Sequence, residues 1–468
     1  MQIHLSLLLS DWLIYGLFII AVIAFFYARK RRAFRESLRH LFQRKLAMIS
    51  AVILGCYTII GLLDSVHFTI LKRVDNQYQV TQFKSLLDLI ISPLGAQTEK
   101  TYSAPFATHL YNKSIMSVAN GHEIHDYPRL GYGGGHLENL TDRIKDIVWR
   151  SLLGILIGLL SLIVIVFLVF SFLVFRKRAS YRLCLYRLWR WKTEIAWREA
   201  LIAFGLIWIC GWVVRFLAIN YHLLGTDQVG TDVLYEAIKS VRTGLLIGTL
   251  TSLFMLPFSL SLGTLSGFFG GWVDDIIQYL YTTLSSIPGV LLIAASVLVL
   301  QVFIATHPIY FPTLAERADA RLLALCLILG ITSWANLCRL LRGETLKLRE
   351  QEFVDAARVI GVSRIKIIFR HIFPNVMHVV LITVVLDFSA LVLAEAVLSY
   401  VGVGVDPTTF SWGNMINSSR LELAREPVVW WPLLAALLFM FGLVLAANLF
   451  ADALRDALDP RLRMTDTL

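Results

Sequence analysis

Long, uninterrupted apolar runs constrain this chain more than any other feature of its sequence. Nine runs approach the roughly 20 residues that an α-helix needs to cross a bilayer. They fall at 11–27, 47–64, 149–175, 199–220, 243–265, 277–304, 321–340, 377–399 and 428–451. Because lipid offers no hydrogen-bond partner to a bare backbone amide, each run is predicted to be helical. The expected fold class is therefore an all-α polytopic membrane protein.

The charge of the chain fits this prediction. Only 16% of the residues are charged, against about a quarter in soluble domains. The net charge of +10 collects in short loops between the apolar runs, as the positive-inside rule requires. No basic patch stands apart from a membrane flank, so nucleic-acid binding is not expected.

The basic loops also predict the orientation of the chain. They are 29–45, 176–198, 339–371 and the C-terminal tail. All are expected on the cytoplasmic side, which places the N-terminus and the polar stretch 65–148 outside. One loop fits poorly, because 267–275 should be inside yet carries Asp274 and Asp275 and no base.

Motifs for chemistry by the chain itself are weak. The string 225–232 has two glycines at the spacing of a phosphate-binding loop, but Thr231 stands where the required lysine would be. The pattern 122–126 and the nearby His136 offer metal-ligand side chains without the spacing of a zinc-protease helix. No nucleophile with a base and an orienting group is recognisable. The sequence therefore predicts no catalytic residue, no metal site and no cofactor.

One basic loop, from Glu352 to Pro374, has an informative local pattern, and we call it the elbow. Residues 352–360 are good helix formers with acids in the first turn, and Gly361 suits a left-handed stop. Ser363 is a natural N-cap for a second short helix, and Pro374 suits the first turn of the next span.

The second helix of the elbow is predicted to carry an apolar stripe. Its members recur at spacings of three and four: they are Ile365, Ile368, Phe369 and Ile372. An ordinary basic loop rarely encodes two capped helices. An elbow that docks a cytosolic partner is therefore favoured over a plain loop.

The elbow resembles the EAA motif of ABC-importer permeases. Asp355-Ala356-Ala357 corresponds to its Glu-Ala-Ala, Gly361 to its glycine and Phe373-Pro374 to its apolar–proline end. Aspartate in place of glutamate keeps the charge but shortens the reach. In that family this loop is the coupling helix, which seats in a groove of a separate ATPase subunit. The resemblance implies coupling roles for Glu352, Asp355, Ala356, Ala357, Gly361, Ser363 and Pro374.

Three further strings narrow the resemblance to the second permease type of the dipeptide/oligopeptide transport family. The segment 222–233 is similar to a GTDxxGRDV motif, but Thr231 replaces the family's arginine, which puts any contact of that arginine in doubt. The segments 398–415 and 448–461 resemble an outer-loop motif and a C-terminal signature. All three occur in family-like order.

The resemblance implies a six-span type I importer core with about three additional helices. It implies a permease subunit, not an enzyme, in the bacterial inner membrane, which forms the pathway of an ATP-driven peptide importer. The implied partners are a second homologous permease, two ABC ATPases, an external substrate-binding protein, membrane lipid and the peptide. Family cargoes include dipeptides, oligopeptides, peptide antibiotics, nickel chelates and sugars. The alternative is a secondary transporter or channel that uses intramembrane acids.

The expected organisation has three segments. They are 1–46, an added span with a basic stretch; 47–221, a first core span with an insertion that contains 65–148; and 222–468, the permease core with the coupling loop 351–375. Either 47–64 or 199–220 can be the first core span. Both choices leave the coupling loop cytoplasmic, because the inserted spans 149–175 and 199–220 are two, an even number.

Two acids lie in an apolar run, where a charge is costly and marks a functional candidate. Asp387 lies near the middle of the run 377–399, and Glu395 lies near its outer end. Each can line the translocation pathway or be a hydrogen-bonded structural acid. Both interpretations stay open for Asp387, whereas the structural one is preferred for Glu395.

Overall fold

Helices make up most of the fold. The computed structural model describes residues 2–30, 32–74, 77–117, 123–137, 139–177 and 196–458. Its helices are α1 (Leu9–Ala28), α2 (Arg32–Gln43), α3 (Lys45–Asp64), α4 (Leu86–Ile90), α5 (Ser92–Gly95), α6 (Arg143–Lys177), α7 (Trp197–Leu217), α8 (Val233–Phe269), α9 (Gly271–Ser286), α10 (Gly289–Thr306), α11 (Leu314–Arg349), α12 (Glu352–Val359), α13 (Arg364–Ile367), α14 (Phe373–Tyr400), α15 (Trp412–Glu422) and α16 (Trp431–Leu458). The all-α prediction is confirmed.

Nine helical segments within these described ranges are long and apolar enough to cross a membrane. They are α1, α3, α6, α7, α8, α10, α11, the run of α13 into α14, and α16. The prediction of a polytopic membrane protein is therefore confirmed.

Short strands accompany the helices near the N-terminus and in the stretch 65–148. They are β1 (Gln2–Leu5), β2 (His67–Val74), β3 (Gln77–Ser85), β4 (Ser114–Ser117) and β5 (Glu123–Asp126). β2 pairs antiparallel with both β1 and β3, and β4 pairs antiparallel with β5.

The apolar run 277–304 was predicted as one span, and this prediction is wrong. The run is divided between α9, which ends at Ser286, and α10, which begins at Gly289. Between them, Ile287 has an extended backbone, with φ −84° and ψ 131°. Pro288 explains the break, because the residue before a proline is disfavoured in the helical region. Of the two helices, α10 is the one that can span a membrane.

The chain divides into two compact units. One takes in the described residues within Met1–Leu7, Phe26–Arg242 and Phe410–Ala453. The other takes in those within Leu8–Phe25, Thr243–Thr409 and Leu454–Leu468.

In the first unit, α6 and α7 form a closely packed antiparallel pair. A Cβ atom on Gly154 would lie 2.8 Å from the Cα of Val213, and one on Gly158 would lie 3.3 Å from the Cα of Ile209. Glycine at these positions lets the two helix backbones approach, as in other membrane helix pairs. Elsewhere in this unit, the hydroxyl of Tyr57 on α3 donates to the carbonyl of Phe439 on α16 (2.8 Å).

In the second unit, the N-terminal helix α1 is part of the packed core. Ile14 is buried in one cluster with Leu246 of α8 and Leu325 of α11. The backbone N–H of Ser10 also donates to a carboxylate oxygen of Asp319 (3.1 Å), and its hydroxyl donates to the other oxygen. Helix α1 is therefore held by both apolar and polar contacts.

Candidate functional site

The first half of the elbow ends as its sequence predicts. α12 stops at Val359, and Gly361 has a left-handed φ of +82°. The N–H of Gly361 donates to the carbonyl of Arg358 (3.0 Å), and the N–H of Val362 donates to that of Ala357 (3.1 Å). These two bonds are the Schellman pair that ends many helices with a glycine. The predicted break at Gly361 is confirmed.

The second half of the elbow differs from the prediction of a separate short helix. α13 begins directly after Ser363, whose carbonyl, and not its hydroxyl, accepts a hydrogen bond from Ile367. A π-helical turn at Ile368–Ile372 then leads without a break into α14. The N–H of Phe373 bonds five residues back to Ile368. Pro374 has no N–H to donate. The π-helical hydrogen-bond pattern just before it accommodates this missing donor at the start of α14.

The predicted apolar stripe of the elbow is half wrong. Ile368 and Ile372 are buried, together with Ile367, but Ile365 and Phe369 are 66% and 67% exposed. The spacing of apolar residues gives the period of a helix, but it does not show which side of the helix is buried by its neighbours. Here Ile367, Ile368 and Ile372 pack into the core of the second unit.

The elbow exposes a set of apolar side chains, which we call the elbow face. Its members are Phe353, Val359, Ile360, Ile365 and Phe369. Val359 and Ile360 are 88% and 80% exposed and directly precede the stop at Gly361. Neither residue was predicted to be functional, although two adjacent β-branched residues at the end of a charged helix are a signal visible in the sequence. Clustered exposed apolar residues often mark a protein interface.

Buried residues hold the elbow to its own unit. Val354 and Ala357 lie in the core beside Leu341 of α11. Arg358 forms an ion pair with Asp355 (2.9 Å), and its guanidinium lies 5.6 Å from the centre of the Phe268 ring. Of the predicted coupling residues, Ala357 is buried, whereas those that are exposed are Glu352, Asp355, Ala356, Gly361, Ser363 and Pro374.

Asp274, in the loop 267–275 that fits the positive-inside rule poorly, has a basic partner. Arg342 of α11 contacts both carboxylate oxygens of Asp274 on α9, at 2.6 and 2.7 Å. Hydrogen bonds from Arg342, and a further one from Ser266, lower the pKa of Asp274 to about 2. The negative charge of this loop is thus neutralised within the fold, which explains why it does not oppose the predicted orientation.

The segment 222–233 is contacted by residues within 97–117 and 123–137, the two described ranges that we call the cap. The N–H of Glu99 donates to the carbonyl of Gly230 (2.9 Å), and the N–H of Thr226 donates to that of Ser103 (3.0 Å). Gly230 has a φ of +82°, and a Cβ atom there would lie 1.9 Å from the Glu99 carbonyl oxygen. Glycine is therefore required where the cap touches this segment.

Thr231, which replaces the family's arginine, makes a local contact. Its hydroxyl donates to a carboxylate oxygen of Glu236 (2.7 Å). Close by, Asp232 accepts from the N–H of Leu234 (2.9 Å) and so caps the first turn of α8. The segment is thus a structured helix start.

His222 joins the cap to this helix start. Its Nδ1 lies 2.7 Å from Asp232, and its Nε2 lies 3.9 Å from Glu99 of the cap. Burial alone would lower the pKa of His222, but hydrogen bonds and charge attraction from the two carboxylates outweigh it and raise the pKa to about 9. The imidazolium is therefore the favoured form at neutral pH.

The raised pKa of His222 predicts a pH-dependent stability. The ordinary histidine pKa is about 6.5, so the stabilisation is fully present below that pH and is lost as pH rises through about 9. The loss should be on the order of 3 kcal/mol or less. Thermal unfolding of the purified chain between pH 6 and 9.5 measures it. The His222→Gln variant should show a flatter dependence, and an unchanged slope would contradict the assignment.

The two intramembrane acids have different surroundings. Glu395 is buried and accepts a hydrogen bond from the hydroxyl of Ser399 (2.7 Å). Asp387 lies in the middle of α14 and is only partly buried. The burial and hydrogen bond of Glu395 agree with a structural role. The side chain of Asp387 remains partly exposed at the surface of α14.

The possible metal ligands do not assemble within the described residues. No group of three His, Cys, Asp or Glu side chains able to hold a metal occurs in that part of the chain. His136 bonds instead to Asp146 of α6 (3.0 Å), and His122 lies outside the described residues. Residues 178–195 of the second basic loop and 459–461 of the C-terminal signature also lie outside them.

Comparison with known proteins agrees with the motifs. Residues 259–464 match a family model described as the binding-protein-dependent transport system inner membrane component. The chain is 33% identical over 242 residues to an oligopeptide transport system permease protein, OppC, of Mycobacterium tuberculosis. The matched region is 52% of this chain and 77% of that protein.

Two further relatives have similar coverage. A glutathione transport system permease protein, GsiD, of Pectobacterium atrosepticum is 32% identical over 52% of this chain and 73% of its own length. A dipeptide transport system permease protein, DppC, of Alkalihalophilus pseudofirmus is 30% identical over 52% of this chain and 73% of its own length.

Proposed function

Because this chain belongs to the family of binding-protein-dependent transport system inner membrane components, we propose that it is a permease subunit of an ATP-driven peptide importer. The named relatives transport oligopeptides, dipeptides or glutathione. A peptide is their shared chemistry, and we extend that cargo class to this chain. The observation that carries the proposal is the family match over the part of the chain that contains the elbow.

The elbow is proposed as the contact with a separate ATPase subunit. It combines a rigid base, formed by buried Val354 and Ala357, with the exposed apolar elbow face. Its exposed acids, Glu352 and Asp355, add polar contacts at the edge of that face. An interface with an apolar centre and a polar rim is typical of protein partners. Gly361 and Ser363 lie at the turn between α12 and α13, so they are proposed to set the direction of the chain between the two parts of the elbow face.

The assembly is proposed to contain a second homologous permease, two ABC ATPases and an external binding protein that delivers the peptide. The proposed location is the bacterial inner membrane. Segment 1–46 is proposed as an added span with a basic stretch, 47–221 as the first core span with an insertion, and 222–468 as the permease core with the coupling loop 351–375. ATP hydrolysis is assigned to the partner subunits, so this chain is proposed not to be an enzyme.

Asp387 is proposed as a pathway residue. A partly exposed carboxylate in the middle of α14 can attract the ammonium group of a peptide. Glu395 is also a member of the predicted pathway set, but its burial and its bond to Ser399 support a structural role.

Reconstitution in liposomes tests the proposed function. The chain with its partner permease, both ATPases and the binding protein should take up labelled peptide only when ATP is supplied. The chain alone should give no uptake under a proton gradient. Uptake by the chain alone, driven by protons and indifferent to ATP, would instead establish a secondary transporter.

A further inference from the structure

Two basic segments that are far apart in the sequence meet at one end of the first unit. The backbone N–H of Ala196, which precedes α7, donates to the carbonyl of Phe42 at the end of α2 (2.9 Å). Nearby, Lys45 Nζ at the start of α3 lies 4.0 Å from Glu199 Oε1 of α7. The fold thus joins the segment 29–45 to the end of the loop 176–198. The charge rule places both on the cytoplasmic side.

Helix α2 has one buried and one basic side. Ser37 and Leu41 are buried against the protein, with 5% and 1% exposure. Arg35, Arg39 and His40 are exposed along the same helix. Because α2 connects α1 and α3, two helices long and apolar enough to cross a membrane, we expect its basic side to lie near the membrane surface.

Apolar and aromatic side chains accompany these bases at the junction. Leu46 of α3 and Trp197 of α7 are both exposed, beside the exposed bases Arg44 and Arg198. Tryptophan favours the headgroup level of a bilayer, and basic side chains reach from there to phosphate. Exposed leucine and tryptophan beside a spanning helix therefore favour a lipid over a soluble acidic protein as the ligand of this junction.

We propose that this junction binds the headgroup of an anionic phospholipid in the inner leaflet. The contacts would come from Arg35, Arg39, Arg44 and Arg198, with Trp197 against the upper acyl chain. Charge complementarity supports this ligand, because the segment 29–45 holds eight Lys and Arg residues against one acid, Glu36. Clusters of four to eight bases directly cytoplasmic of a spanning helix attract anionic lipid.

Lipid-dependent stability tests the proposal. The purified chain in a neutral detergent is mixed with phosphatidylglycerol or with phosphatidylcholine of the same acyl length, and its Tm is measured. A ligand that binds the folded state raises Tm. Phosphatidylglycerol should therefore raise Tm more than phosphatidylcholine. The Arg35→Gln/Arg39→Gln variant should lose at least about half of that difference.

A matched variant controls for the loss of positive charge. Lys100→Gln/Lys113→Gln removes two exposed bases from the cap and should keep the full response to phosphatidylglycerol. If the first variant does not fold, Arg44→Gln/Arg198→Gln removes bases from the same junction. An equal response of the junction and cap variants, or of the two lipids, would overturn the proposal.

Inorganic phosphate separates a lipid from a free anion. Millimolar phosphate should leave Tm unchanged, because it lacks the acyl chains that meet Leu46 and Trp197. A rise equal to that from phosphatidylglycerol would overturn the assignment to lipid. The experiment needs neither ATPase nor cargo, so its outcome is independent of whether the chain is part of a peptide importer.

Discussion

Serine at both Val359 and Ile360 is expected to lower ATP-driven uptake by about tenfold or more. These side chains are 88% and 80% exposed, so their loss should leave the folded permease intact. If the elbow face is buried against an ATPase, truncation of two apolar anchors costs roughly 2 kcal/mol or more of binding free energy. Each 1.4 kcal/mol corresponds to about a factor of ten in the binding constant. Uptake in liposomes and co-purification of the ATPase measure both effects.

The matched control changes equally exposed apolar residues on the other side of the membrane. Ile309 and Tyr310, between α10 and α11, are 90% and 72% exposed and lie outside by the charge rule. Ile309→Ser/Tyr310→Ser should retain wild-type coupling to the ATPase. Gly361→Asp, which alters the left-handed stop, should leave the chain inserted and uncouple uptake from hydrolysis. Wild-type uptake in the Val359→Ser/Ile360→Ser variant would show that the elbow face does not dock the ATPase.

Lys239→Met is expected to destabilise the first unit by roughly 3–5 kcal/mol. Lys239 on α8 is 9% exposed, and its Nζ lies 2.5 Å from Asp64 at the end of α3 and 3.1 Å from Asp88 on α4. Ser85 and Tyr235 complete this network, at 3.1 Å from Lys239 and 2.9 Å from Asp88 respectively. Removal of the lysine leaves two carboxylates in a buried site without their cation. Thermal unfolding and limited proteolysis of the purified chain measure the loss.

Two comparisons identify the source of this effect. Lys347→Met breaks the exposed pair between Lys347 and Glu344 on α11 and should cost less than about 1 kcal/mol. Adding Asp64→Asn and Asp88→Asn to Lys239→Met removes the uncompensated charges and should recover much of the stability. A variant as stable as the wild type, or a triple variant less stable than Lys239→Met, would show that the network does not hold these helices.

Local signals in the sequence predicted much of the fold and part of the site. Apolar length identified the spanning segments, and Gly361 marked the end of α12 because a left-handed residue is a local requirement. Pro288 carried an equally local signal for the break between α9 and α10. That signal was overlooked because the flanking residues remain apolar across the break.

The features that sequence analysis missed depend on distant neighbours. Ile365 and Phe369 share the period of the buried residues, but only the packing of the elbow decides which side is covered. The pairing of His222 with Glu99 joins positions separated by two spanning helices. The segment 222–233 was recognised by its motif alone, and no local signal indicated that Gly230 packs against the cap.

The cap also has a consequence for the biogenesis of the chain. Its Tyr111 hydroxyl donates to the carbonyl of Val428 (3.0 Å), and its ring lies 5.0 Å from that of Trp431. The indole N–H of Trp431 in turn donates to the carbonyl of Thr226 (2.9 Å). Trp431 begins α16, far downstream of the cap in the sequence, so the cap is completed by residues that the ribosome makes much later than the cap itself. We therefore expect a nascent chain that stalls before α16 to leave the cap without its contacts to Val428 and Trp431 and more sensitive to proteases.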